Sequence, residues 1–272
     1  VTRKNVAEYF NRFGFWGKLD PENGIYEEIE LKAETLKAHI ADFYRLYERL
    51  GDYRSKKTLY AILSNWYRYD FKSTTEAKEY MFDDYFDPDL VKCTPDEVVV
   101  DLGAYTGDTV LAYINNYGAD CYKKIYCYEI TKSVFEILKA NTAGIRDIEC
   151  RMKGVSDVCG EMRLNLSAGG SSANSLSETG ADVVETVSLD SDIAEAVTLI
   201  KADIEGGEQR ALLGAARHIS NEHPKLLISV YHSNDDLWKI PQIIDGISDD
   251  YRYYLRFKGS CIYPTEVTLF AL

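Results

Sequence analysis

From about Glu34 to Leu50 the apolar residues Leu36, Ile40, Phe43, Tyr47 and Leu50 recur in alternating steps of four and three, laying one stripe along a helix. A second helix is predicted from Ser55, with Leu59, Ile62, Leu63 and Trp66 at helical spacing, and a third begins over Ser73 to Phe82. Turn residues at Asp87-Pro88 and Thr94-Pro95-Asp96 then break the pattern. Beyond them strand-like and helix-like runs alternate. Val98 to Leu102, Lys124 to Glu129 and Ile148 to Lys153 read as strands; Thr109 to Asn116 and Ser133 to Asn141 read as the helices between them. After a Gly- and Ser-rich stretch, Ala168 to Ser177, come strands over Val183 to Val187, Val197 to Asp203 and Leu226 to Tyr231, with a helix from Gln209 to Arg217. Tyr251 to Phe257 and Pro264 to Leu272 read as two strands joined by a turn at Lys258-Gly259. Such alternation calls for right-handed crossovers and a mostly parallel sheet, which the terminal hairpin makes mixed. The expected organisation is a helical N-terminal domain over residues 1–90, followed by a doubly wound α/β domain over residues 91–272.

Composition narrows the functions. The 272 residues are 46% hydrophobic and 28% charged, ordinary for a globular chain, so disorder is not expected. A formal net charge of -13 repels phosphate backbones, so nucleic acid is not the expected substrate. Six cysteines without a C-x-x-C pair argue against zinc and against a disulfide framework, leaving reduced, mostly buried thiols in a cytoplasm. No apolar run reaches the length of a membrane span, and Val1-Thr2-Arg3-Lys4 lacks a signal peptide's apolar core; the missing initial methionine leaves room for upstream residues. Tyrosine is dense in the N-terminal part, mostly as packing with the hydroxyl reaching water.

Chemistry concentrates at the predicted strand ends. Val98-Val99-Val100-Asp101-Leu102-Gly103-Ala104-Tyr105-Thr106-Gly107-Asp108-Thr109 is a buried strand, a glycine turn and a helix start capped by Asp108 or a neighbour. Ligands bind at the carboxyl ends of such strands, where glycine lets the backbone approach them. Tyr105 occupies the middle glycine position of the dinucleotide fingerprint, and Asp101 would repel a pyrophosphate but suits an ammonium. S-adenosylmethionine, which brings an ammonium and a sulfonium without phosphate, fits better than NAD. Glu129, at the next strand end, can accept hydrogen bonds from both ribose hydroxyls, and Ser156 and Asp157 follow the third strand where adenine would lie.

In Leu199-Ile200-Lys201-Ala202-Asp203-Ile204-Glu205-Gly206-Gly207-Glu208, period two sends Lys201, Asp203 and Glu205 to one side, toward the ligand crevice. His232, after the fifth strand, is the first choice as general base, because a neutral imidazole takes a hydroxyl proton near neutral pH; Asp203 and Glu205 follow it. Lys201 either stabilises a developing oxyanion or, as the preferred reading, pairs with Asp203 and Glu205. The site is read without a metal; the alternative has Asp203, Glu205, Glu208 and His232 holding a divalent cation that lowers the hydroxyl pKa. The stretch Gly169-Gly170-Ser171-Ser172-Ala173-Asn174-Ser175 is read as a mobile lid or a plain surface linker.

Together these residues resemble the FkbM family of methyltransferases over roughly Tyr85 to Leu272. The matching pieces are Val100 to Gly107, the strand ending in Glu129, Ser188-Leu189-Asp190, the block Ile200 to Glu208, and Val230-Tyr231-His232. The resemblance implies a class I, Rossmann-like fold with a seven-stranded sheet, S-adenosyl-L-methionine as cofactor, and methylation of a hydroxyl on a sugar or natural-product-like acceptor. It places the cofactor against Asp101, Gly103, Ala104, Tyr105, Thr106, Gly107, Glu129, Ser156, Asp157 and Asp203. Tyr105 departs from the asparagine often found there and is expected to stack on or narrow the cofactor's methionine end. Partners are then a small-molecule or saccharide acceptor, with a homodimer compatible and neither nucleic acid nor membrane involved. The N-terminal helices are expected to form the other wall of the acceptor pocket. A binding module that keeps the pocket without catalysis, and an NAD-dependent oxidoreductase, are the rival readings.

Overall fold

A computed structural model describes residues 19–20, 23, 25–82, 85–165, 175–177 and 182–272. A short antiparallel pair, β1 (Leu19–Asp20) and β2 (Ile25–Tyr26), precedes four helices. The stripe read as one helix over Glu34 to Leu50 is two, α1 (Glu27–Ala38) and α2 (Ile40–Arg49), broken at His39. The His39 ring stacks on Trp238 at 3.9 Å and its Nδ1 lies 3.0 Å from Asp42, contacts that fix the corner. α3 (Tyr53–Arg68) starts where Asp52 accepts a hydrogen bond from the Ser55 amide, and α4 (Phe71–Ala77) where Asp70 does the same for Ser73. α4 ends five residues short of the predicted Phe82.

The main sheet consists of β3 (Val98–Leu102), β4 (Lys124–Tyr128), β5 (Ile148–Arg151), β10 (Leu199–Ala202), β11 (Lys225–Ser229), β12 (Tyr253–Phe257) and β13 (Val267–Ala271). Its order is β12-β13-β11-β10-β3-β4-β5, seven strands, with β13 antiparallel to both neighbours and all other pairs parallel. The expected hairpin is there, but with β13 set between β12 and β11 and with residues 258–266 connecting the pair in place of a tight turn. A second sheet, absent from the sequence reading apart from its last strand, joins β6 (Gly154–Val155), β7 (Gly160–Asn165), β8 (Ser175–Ser177) and β9 (Asp182–Val187) in the order β6-β9-β7-β8. Apart from Ser175 to Ser177, the stretch Ala168 to Ser177 lies outside the described residues, and with it the lid reading.

Helices α5 (Asp108–Tyr117) and α6 (Lys132–Thr142) cover one face of the main sheet, packing Val110, Tyr113 and Leu138 on Val99, Ile125 and Leu227. The other face carries Val98, Val100, Ile200 and Ile228 beneath residues of α2, α3, α8 (Glu208–Leu213), α9 (Ala216–Glu222) and α10 (Asp236–Ile247). A short α7 (Leu189–Asp192) follows β9. Where one helix was predicted over Gln209 to Arg217, α8 and α9 are separated at Gly214. Of the six cysteines, none is in a disulfide and Cys127 alone is fully buried; Cys159 is exposed, so the thiols are less hidden than the sequence suggested.

The helices α1–α4 lie toward the β12 edge. Arg256 on β12, fully buried, donates from Nε to Asp87 at 2.6 Å and from Nη2 to Asp52 at 2.8 Å, while the Leu255 amide donates to the Ser55 hydroxyl. No helix among the described residues is long and apolar enough to cross a membrane.

Candidate active site

The order in which strands are added reverses beside β3: β4 and β5 continue on one side, β10 and β11 on the other. A crevice opens there at the carboxyl ends of the strands. The Val98–Leu102 strand is buried throughout, and the turn after it is built on glycine for two reasons. Gly103 has φ +76, and a Cβ on it would stand 1.9 Å from the Asp203 carbonyl oxygen. Of the two readings of the helix start, the neighbour holds: Gly107, at φ +89, is the N-cap of α5, and Asp108 sits in the first turn. The Gly103 and Ala104 amides both donate to the Tyr128 carbonyl, which ties the turn to β4.

A cleft of about 130 Å³ follows, walled by Leu102, Gly103, Tyr128, Glu129, Ile130, Val155, Ser156, Met162 and Ile204 to Gly207, with Lys153 and Arg210 at its margin. Glu129 is buried, and its carboxylate accepts from the Thr131 amide at 2.6 Å. Burial raises its pKa above the ordinary glutamate value against the pull of amides at Thr131, Ile130 and Tyr105. Of the predicted cofactor contacts, Gly103, Glu129 and Ser156 line this cleft; Asp101, Ala104, Tyr105, Thr106, Gly107, Asp157 and Asp203 do not. Ala104 is fully buried. Tyr105 sits at φ +46 with its side chain partly exposed, outside the lining, and the Thr106 carbonyl accepts from Asn141 of α6. Asp157 accepts from Arg210, which lines the cleft, at 2.7 Å. Ile130, Met162, Lys153 and Arg210 are not singled out by the sequence: Met162 lies on β7, which leaves no strong period-two signal, while Ile130 after β4, Lys153 before β6 and Arg210 on α8 belong to no motif.

Asp101 corrects a more basic expectation. Its carboxylate is 2% exposed and meets the Lys201 ammonium at 2.9 Å, so it neither faces an incoming ammonium nor leaves Lys201 for Asp203 and Glu205. Lys201 donates as well to the carbonyls of Leu102 and Gly103. Burial pulls the Lys201 pKa down, but Asp101 and Asp203 outweigh it and hold the ammonium above the ordinary lysine value. The pairing arises because β10 ends at Ala202: Lys201 is in register with Asp101 across the sheet, and period two stops before Asp203 and Glu205.

The residues after the strand converge all the same. Glu205 takes φ +54, and the imidazole of His232 is enclosed by carboxylates: Nδ1 lies 3.0 Å from Glu208 Oε1, Nε2 3.3 Å from Asp203 Oδ1 and 3.6 Å from Glu205 Oε2. Burial lowers the His232 pKa, yet the hydrogen bond and charge of Glu208, with Asp203 and Glu205, push it up to about 9. These carboxylates favour the charged ring as long as no other cation stands among them. Burial pushes the Glu205 carboxyl up to about 7. Asp203 is held from behind by Tyr85, whose hydroxyl donates to Oδ2 at 2.6 Å. Among the described residues, Tyr85 brings the N-terminal part to the cluster through its hydrogen bond to Asp203.

A family model described as the methyltransferase FkbM domain matches residues 101–259. A crystal structure of methyltransferase FkbM from Methylobacillus flagellatus KT is 25% identical, with a TM-score of 0.76, covering 97% of this chain and 65% of that one; the chain thus spans under two thirds of that relative's length. An rRNA methylase from Streptococcus thermophilus (14% identity, TM-score 0.43) covers 66% of this chain and 87% of its own. A ribosomal protein L11 methylase from Lactobacillus delbrueckii subsp. bulgaricus (16% identity, TM-score 0.43) covers 75% and 79%. Likenesses at that level do not bear on function. No curated protein matches the chain.

Proposed function

The chain belongs to the FkbM methyltransferase family, whose methyl donor is S-adenosylmethionine, and from that premise we propose that it methylates a hydroxyl oxygen of a sugar or small natural-product-like acceptor. The observation that carries the reading is the meeting, at one crevice, of a cleft based on Glu129 with the cluster of Asp203, Glu205, Glu208 and His232. The donor set suits the cofactor: a carboxylate at the base of the cleft accepts from ribose hydroxyls and repels a diphosphate. The two cations at the margin are already engaged, Lys153 by Asp192 and Glu185, Arg210 by Asp157.

When bound, the donor supplies an electrophilic methyl on its sulfonium. The chain's own groups position the reactants and remove a proton. Glu129 and Ser156 orient the nucleoside, while the fixed turn at Gly103 shapes the end nearest Asp203. Orientation of this kind supplies up to ~7–11 kcal/mol in the best models. Glu205 is the one carboxylate of the cluster that lines the cleft, so it is the proton acceptor in this reading; Glu208 is enclosed behind it. The net charge of -13 supports a small acceptor over a nucleic acid, and the free thiols support a cytoplasmic setting.

Calorimetry with S-adenosylmethionine and NAD, followed by transfer of a labelled methyl group to a panel of saccharides and hydroxylated small molecules, tests the proposal. Binding of the sulfonium cofactor without NAD, and a labelled ether in the product, are expected. Label on nitrogen or carbon acceptors alone would overturn the hydroxyl reading. Cofactor binding with no transfer to any acceptor would favour the non-catalytic binding module.

A further inference from the structure

Asp203, Glu208 and His232 each present one nitrogen or carboxylate oxygen such that all three atoms lie within 4.8 Å of one another. Two are deeply enclosed: the side chain of Glu208 is 0% exposed and that of His232 3%. The acidic groups at this spot are Asp203, Glu205 and Glu208 around the imidazole, with Asp236 and Glu266 near enough to act on it or on its carboxylates. Against them stands Lys201, whose ammonium is committed to Asp101 and two backbone carbonyls. Several carboxylates gathered out of water around one ring need more positive charge than the pairs shown provide.

The atoms not facing inward are held by other groups. Tyr85 donates to Asp203 Oδ2, which leaves Oδ1 toward His232. The Ile204 amide donates to Glu208 Oε1 at 2.8 Å, while Oε2, fully buried, meets no hydrogen-bond donor. An orphaned carboxylate oxygen in the interior is costly unless something positive belongs there. The 3.3 Å between His232 Nε2 and Asp203 Oδ1 is close to the spacing of neighbouring ligands around a small cation with bonds of about 2.1 Å.

We propose that Asp203, Glu208 and His232 hold one divalent transition cation at the floor of the crevice beside Glu205. Mixed imidazole and carboxylate ligands select the Mn²⁺ or Zn²⁺ class over an all-oxygen Ca²⁺ site. Asp203, about a quarter exposed, gives the cation its opening to solvent, and Glu205 beside it lines the cleft. The consequence for chemistry rests on the methyl-transfer reading: a cation here would coordinate the acceptor hydroxyl and lower its pKa, so that Glu205 takes the proton. Binding of the cation itself does not depend on that reading.

The whole chain, stripped with a chelator and dialysed, is titrated with MnCl₂ and separately with ZnCl₂ by calorimetry, with paramagnetic resonance following free Mn²⁺. One equivalent should bind, and Asp203→Asn and Glu208→Gln, both isosteric, should each weaken binding at least about 10-fold with unchanged circular dichroism. If Glu208→Gln does not fold, the part-exposed Asp203→Asn carries the test. Failure of both cations to bind, or equal binding by the variants, overturns the site. S-adenosylmethionine titrations on the same samples separate the two readings: cation binding without cofactor binding would sink the functional proposal alone, and the reverse would sink this one alone.

Discussion

An ammonium group is stable out of water only beside an opposite charge, and Lys201 meets that condition chiefly through its direct pair with Asp101. Lys201→Met leaves a buried carboxylate unpaired and should cost about 3–5 kcal/mol in urea unfolding. The double variant Lys201→Met with Asp101→Leu should recover most of that loss; equal loss in single and double variants would mean the pair is not coupled. Gly103 is similarly constrained. An alanine there collides with the Asp203 carbonyl, so Gly103→Ala should weaken S-adenosylmethionine binding strongly, read by calorimetry, while Gly118→Ala, whose added Cβ meets nothing, should not. Glu205→Gln should lower turnover by ~10²–10⁴ with cofactor affinity unchanged. Unaltered turnover would remove Glu205 from the proton-transfer step. Sequence named Asp101, Lys201, Asp203, Glu205 and His232 together because their types and strand-end positions stand out. It could not pair them, since the pairing depends on register between β3 and β10 and on the point where β10 stops.

Among the elements, those with one clean periodicity were legible: β3, α5, β4 and α6 lie within a residue or so of their predicted bounds. Elements bent by tertiary contact were not. α10 went unread although Leu237, Ile240 and Ile244 have helical spacing, because Pro241 inside it argues against a helix. The break between α8 and α9 has an identifiable cause: a Cβ on Gly214 would lie 1.9 Å from the Ser156 carbonyl, so the helix corner presses on the cleft wall. Gly214→Ala should therefore push Ser156 into the cleft and reduce cofactor affinity with only a small change in far-ultraviolet dichroism. Unchanged affinity would show that the wall yields instead.

For the whole molecule the joint between α3 and β12 decides cooperativity. Arg256 is enclosed by Asp52, Asp87 and Ser55, contributions from the helical part and from the connection leading to β3. Unfolding followed by dichroism and by tryptophan fluorescence should give coincident transitions. Arg256→Met, which takes from buried Asp87 its direct partner and leaves it, among the described cations, only Arg54 at 3.5 Å, should cost about 3–5 kcal/mol and separate the two probes; a variant that still unfolds in one step would show that apolar packing alone unites the two parts.

The placement of β13 also bears on how the protein is made. β12 leaves the ribosome before β13, yet its neighbour in the sheet is β13 and not β11. Until residues 267–271 emerge, the edges of both β11 and β12 have an unfilled strand position between them, each an open row of amides and carbonyls. A chain released after Phe257, which carries β12 without β13, should thus bind chaperones and aggregate, while the chain that runs to Leu272 should not.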